Sequence, residues 1–223
     1  MKIEMGESLF YSWLRHVKQC QIVQTNWKAS SQWELHHAEE IEDLLHIIDE
    51  YFNNQYQYKI FKKNSALSQI MRQAESDVLG IHISENKTSF YAIDVAFHEL
   101  GLNYGTRTGT VMKVLSKIIR TAFCFYGYFD TPAGEIVFAS PKINRAILSD
   151  LLPCITYLND FFCEQGFDFK FSIICNDAFD NDILQPILLA SDYVADTNEL
   201  FMRSYQMYAM FAKNPTKGKT END

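Results

Sequence analysis

Three acids, Glu7, Asp77 and Asp94, are the residues of this 223-residue chain whose types and settings point most directly to chemistry. Asp94 lies in FYAIDVAFHE (90–99), which alternates as a strand does: Tyr91, Ile93, Val95 and Phe97 make an apolar face, and Phe90, Ala92, Asp94, Ala96 and His98 the other. The small residues beside Asp94 leave room for something to approach. A carboxylate buried there needs a donor, a positive charge or a metal ion; an Arg or a helix N-terminus would serve a purely structural role. Asp77 opens SDVLGIHI, the preceding strand, and the turn ENKTS joins the two as a β-hairpin that can bring Asp77 beside Asp94. Glu7 sits at the edge of the apolar stripe of the first helix, where a charge is less expected. Two or three carboxylates converging at a sheet edge form a hard-oxygen site suited to Mg²⁺ or Mn²⁺. Such an ion lowers the pKa of a bound water and neutralises charge developing on a phosphodiester.

The basic residues that could accompany this site lie further on. Lys113, Lys117 and Arg120 recur at i, i+4 and i+7 of a helix, and Arg107 in the loop NYGTRTGT extends the stripe. They read either as a solvated face or as a ridge contacting nucleic-acid phosphates. Other signals are weaker. HELG (98–101) lacks the second histidine of a zinc-protease helix, since position 102 is Leu102. The loop glycines fit no GxxxxGK[ST] fingerprint, and His36–His37 beside Glu39 and Glu40 suits a solvated helix face.

Helical spacing predicts a first helix over 5–19, with Leu9, Phe10, Trp13, Leu14 and Val17 inward, then a strand in CQIVQTNW. Helices at 32–53 and 65–75 precede the acid-bearing hairpin. A helix at 109–126, the strand GEIVFAS, a helix at 144–164, the strand FDFKFSIICND and helices at 180–191 and 195–212 follow. The order is α, β, a helical insert, β, β, α, β, α, β, α, α, which implies an α/β fold with helices on a mixed sheet. One domain over 1–212 is expected, and the polar tail KNPTKGKTEND (213–223) reads as disordered.

At 47% hydrophobic and 14% aromatic residues the chain can fill a dense core, which excludes global disorder. No apolar run reaches the roughly 18–20 residues that span a bilayer, so no membrane role is expected. The charged N-terminal stretch does not read as a secretory signal. Five scattered cysteines without a CxxC pair suit buried thiols and a cytoplasmic setting. A net charge of −8 argues against a continuous nucleic-acid surface but not against a local basic patch.

On these pieces the chain resembles the PD-(D/E)XK, or restriction-endonuclease-like, nuclease superfamily. GESLFYSWLRHVKQCQIVQTNW matches the first helix and strand of its α–β–β–β–α–β core, and ESDVLGIHISENKTSFYAIDVA the catalytic hairpin. TVMKVLSKIIRTAFCFYGYF and EIVFAS match the following helix and strand. The resemblance covers about 5–140, interrupted by the helical insertion at about 30–75; 141–212 is a helical C-terminal extension. It implies that Asp77 and Asp94 are the motif acids and Glu7 the helix glutamate, together holding Mg²⁺ or Mn²⁺ for hydrolysis of DNA. Two departures stand out: Ser76 replaces the motif proline, and Ala96 occupies the position of the motif lysine. His98, four residues beyond Asp94, or Lys113 and Lys117 on the next helix would have to supply that group. Asp77, Asp94, His98 and Lys113 are therefore the catalytic candidates, and Arg107, Lys113, Lys117 and Arg120 the DNA-contacting ones. The alternative is a non-cleaving member that binds nucleic acid or protein, for which the aromatic FMRSYQMYAMF (201–211) suits a helix that buries against a partner or against a second copy in a homodimer.

Overall fold

A computed structural model describes residues 4–30, 32–61, 66–195 and 197–212; the tail expected to be disordered lies outside them. Five strands form one sheet in the order β1 (Ile22–Lys28), β2 (Glu75–Ile83), β3 (Thr88–Val95), β4 (Ala133–Ser140), β5 (Asp168–Cys175). The first three pair antiparallel, and β3–β4 and β4–β5 pair parallel. Parallel neighbours require a crossover, and two long helices supply it: α4 (Arg107–Phe129) between β3 and β4, α5 (Arg145–Glu164) between β4 and β5. The chain is thus α/β with a mixed sheet, as its alternating pattern implies.

Strand alternation sorts the core into two layers. Val78, Tyr91, Ile93, Val137 and Ala139 face α1 (Met5–His16), α7 (Gln185–Ser191) and α8 (Leu200–Ala212). Leu79, Ala92, Ile136, Phe138, Phe169 and Phe171 face α4, α5 and α2 (Ala38–Tyr56). The insertion between β1 and β2 comprises α2 and the short α3 (Leu67–Arg72). Between β5 and α7 the chain passes through a short α6 (Asp177–Phe179) and a π-helical turn at Asp180–Leu184. Helix α5 is long and apolar enough to cross a membrane by length and composition, yet Ile147, Leu151, Leu158 and Phe162 are buried in the core. Cys20, Cys124, Cys154 and Cys175 are buried thiols, Cys163 is exposed, and all five are free.

Two boundaries bear on the site. The third strand ends at Val95 rather than running on to Glu99, and Ala96 turns its N–H to Ala139 O of β4. Helix α1 lies close on β2 and β3: a side chain at Gly80 would meet Cys20 Sγ and Leu14 Cδ1 at 3.0 Å, and one at Gly6 would meet Val95 Cγ2 at 3.1 Å. Overpacking a filled core costs about 1–3 kcal/mol, so Gly80→Val is expected to lower unfolding free energy by about that much. Urea denaturation checks this, and unchanged stability would mean that α1 does not press on β2 there.

Candidate active site

The hairpin opens at its acid-bearing end. Val78 pairs with Ile93, and one residue further the ladder stops. Asp77 and Asp94 face each other across that point, and Asp77 Oδ2 accepts the Val95 N–H at 2.7 Å in place of a backbone carbonyl. Ser76, standing where the motif proline would be, donates its hydroxyl to Val78 O at 3.0 Å and to Ile93 O at 3.2 Å, stitching the opening shut from behind. The two strands therefore part without leaving these carbonyls unpaired.

Asp94 is 2% exposed and points to the α4 side of the sheet. Helix α4 answers it with Lys117, whose Nζ donates to Asp94 Oδ1 at 2.8 Å. The N-terminus of α4 is set by Thr106, whose Oγ1 accepts the Gly109 N–H, and by Thr110, whose Oγ1 accepts the Tyr104 N–H at 3.0 Å. These bonds hold Tyr104 beside the site, with the Lys113 ammonium 4.1 Å from its ring centroid and His98 edge-on at 5.4 Å.

Burial dominates the electrostatics of the acids. It raises the Asp94 pKa from 3.8 to about 6, with Lys117 opposing and Asp77 adding to the rise. Asp77 is raised as well, chiefly by burial, against the pull of Lys117 and the Val95 N–H. Burial also disfavours the Lys117 charge, but Asp94 and Asp77 outweigh it and hold its pKa above the usual lysine value. Tyr104 is pushed up by burial, while Lys117 pulls it down. Two crowded carboxylates and one ammonium leave net negative charge in a poorly solvated place, and a cation would relieve it.

Several expected residues take other places. Glu7 is buried but turns to β1, accepting from Asn26 Nδ2 at 2.9 Å. The register that pairs Thr25 with Val78 and Trp27 with Ser76 sets Asn26 opposite Asp77, and Asn26 takes a left-handed conformation there, with φ of 52°. Glu7, carried by α1 on the sheet face opposite α4, is thus taken up by β1. Among the described residues no group of three His, Cys, Asp or Glu could hold a metal ion, so the three-acid cage does not form. The Asp77–Asp94 pair alone still fits Mg²⁺ or Mn²⁺, because such an ion keeps several waters and needs only one or two carboxylates.

His98 is not on the strand face of Asp94, since β3 has ended before it, and its ring lies on Tyr104 instead. Lys113 likewise covers Tyr104, and Lys117, one turn on, is the lysine that reaches the acid. Arg107 is taken up by a two-pronged pair with Asp150 of α5 and so does not extend the basic stripe toward the acids. Arg120 is half-buried and donates to Gln73 Oε1 and Ser116 O. Sequence reasoning did not single out Tyr104 or Asn26; an aromatic inside a glycine-rich loop was the one signal available for Tyr104.

Asp94 retains its proton to about pH 6 in the native state and releases it near 3.8 when unfolded. Its contribution to stability is therefore complete below the unfolded value and lost as pH rises through the folded one. Asp94→Asn removes that slope. From about pH 4 to about pH 7.5, urea denaturation should move in the variant's favour, relative to wild type, by on the order of 2–3 kcal/mol. A pH-independent difference would contradict the raised pKa. No family model matches this chain, and no curated protein or solved structure matches it either.

Proposed function

We propose that the chain is a metal-dependent deoxyribonuclease with a divergent PD-(D/E)XK, restriction-endonuclease-like core. The observation that carries the reading is the set of Asp77, Asp94 and Lys117 at the opened end of the hairpin. The order α1–β1–β2–β3–α4–β4, with an antiparallel meander followed by a parallel crossover strand, supports it. So does the supply of an ammonium from α4, which compensates for Ala96 in the motif-lysine position.

Each residue then has a role that follows from its setting. Asp77 and Asp94 would hold Mg²⁺ or Mn²⁺, which when bound supplies an acidified water and a counter-charge for the phosphate. Lys117 stays protonated across the working pH range and keeps Asp94 ionised. Its ammonium is fixed before substrate arrives, so it can stabilise charge that develops on a phosphodiester with little reorganisation. Tyr104, with Lys113 and His98 on its ring, forms the adjoining wall and restricts solvent.

Plasmid DNA incubated with Mg²⁺ or Mn²⁺ tests the reading. Asp94→Ala should abolish nicking, and Lys117→Met should slow it by about 10²-fold, the usual loss for one preorganised electrostatic group. His98→Ala and Lys113→Met should cost only a few-fold. Cleavage unaffected by Asp94→Ala, or absent from wild type over varied DNA substrates, overturns the proposal.

A second reading is favoured by a different surface. Leu189, Tyr193, Met207, Tyr208 and Phe211 of α7, α8 and the link between them are exposed, Tyr193 at 89% and Phe211 at 77%. Large methionine and aromatic side chains on one helical face suit self-association, and the Lys117–Asp94 pair would then be structural. Light scattering should show a dimer that Phe211→Ser together with Tyr208→Ser converts to monomer; a monomer at all concentrations removes this reading.

A further inference from the structure

A cleft of about 570 Å³ opens beside the acid pair, between α3 and α4, lined by Phe61, Gln69, Arg72, Gln73, Ser116 and Arg120. Its position next to the site is set by Arg120, one turn beyond Lys117 on α4, whose charge feels Asp94 and Glu75. The guanidinium of Arg120 is half-buried yet is met only by neutral acceptors, Gln73 Oε1 at 3.0 Å and Ser116 O at 2.9 Å. Arg72 on the opposite wall is exposed, and among the described residues neither arginine forms an ion pair. Two guanidinium groups facing one cleft, one of them partly desolvated without a carboxylate in contact, leave positive charge that a bound anion would satisfy.

The cleft's dimensions and walls narrow the class of anion. A cleft of about 570 Å³ has room for a piece of one strand but not for the breadth of a duplex, whose major groove alone is ~12 Å wide. It is within the range of pockets that take single small ligands. Phe61 lines the wall, and Gln69 and the Nε2 of Gln73 offer hydrogen-bonding groups of the kind that meet base edges. Aromatic rings beside cationic groups are how unpaired strands are held without dependence on sequence. The insertion that carries Phe61 and α3 thus adds to the sheet a wall that the acid pair alone does not need.

We propose that the cleft between α3 and α4 holds one nucleotide of an unpaired DNA strand, with its phosphate on Arg120 and Arg72 and its base against Phe61. The inference rests on the nuclease reading, and it makes the substrate a DNA that carries a single-stranded segment beside the scissile bond. Arg72 and Phe61 are positioning residues in this account and touch no reacting atom.

Fluorescence anisotropy with labelled DNA in Ca²⁺, which favours binding over turnover, separates the possibilities. A duplex with a single-stranded overhang is compared with the same duplex made blunt, for wild type, Arg72→Ala and Phe61→Leu, each checked for an unchanged melting temperature. Wild type should bind the overhang DNA about tenfold more tightly than the blunt duplex, and each variant should lose most of that margin, as expected for one stacked base or one phosphate contact. Arg72→Ala should also lower the slope of log affinity against log salt by about one for the overhang DNA only. Equal binding of both DNAs by wild type, or variants that retain the margin, overturns the cleft assignment and leaves the nuclease reading to the plasmid-cleavage test. Failure of wild type to bind either DNA overturns both.

Discussion

A carboxylate that is almost wholly removed from water between a strand and a helix constrains everything around it. Asp94 cannot remain charged there without a cation, and Lys117 is the one that reaches it. Removing one partner from a buried pair of this kind typically costs about 3–5 kcal/mol, because the other charge is left stranded. The pair therefore fixes how α4 is rotated on the sheet: Lys117 faces inward, and the residues either side of it, Val114, Leu115, Ile118 and Thr121, fill the core. The same constraint ends the β2–β3 ladder, since Asp77 rather than a backbone carbonyl receives the Val95 N–H.

From this pair outward the structure gives up stability. Both acids have raised pKa values, so ionising them at neutral pH works against folding. Asn26 holds a left-handed conformation inside a strand to meet Glu7, a position Asn tolerates better than most residues. Backbone strain at Asn26 and perturbed acids thus gather at one end of the sheet, the combination on which the proposed active site rests.

Much of this was legible in the sequence, and the parts that were not share a cause. The alternation around Asp94 placed it opposite an apolar wall, and the ENKTS turn brought Asp77 to it, because both are local consequences of a period of two. The i, i+4, i+7 spacing found the helix face carrying Lys113, Lys117 and Arg120, but not which lysine turns inward; that depends on how far α4 begins from the end of β3. His98 was assigned to the face of Asp94 on a strand continued four residues too far, whereas β3 ends at Val95. Glu7 was expected among the acids, and Asn26, turned into the left-handed region inside β1 with no pattern to announce it, gives it another partner. Arg107 lost its place in the stripe to Asp150, forty-three positions along the chain and close only once α4 and α5 pack. Local periodicity was readable; long-range pairings of charge were not.

The proposed chemistry requires Asp77 and Asp94 to hold a divalent cation jointly. Anomalous diffraction from crystals soaked in Mn²⁺ addresses this directly. The expected result is a single peak about 2.0–2.3 Å from a carboxylate oxygen of each acid, with Lys117 still on Asp94. Crystals that take up Mn²⁺ elsewhere, or not at all, while the Asp94–Lys117 pair remains closed, would contradict it.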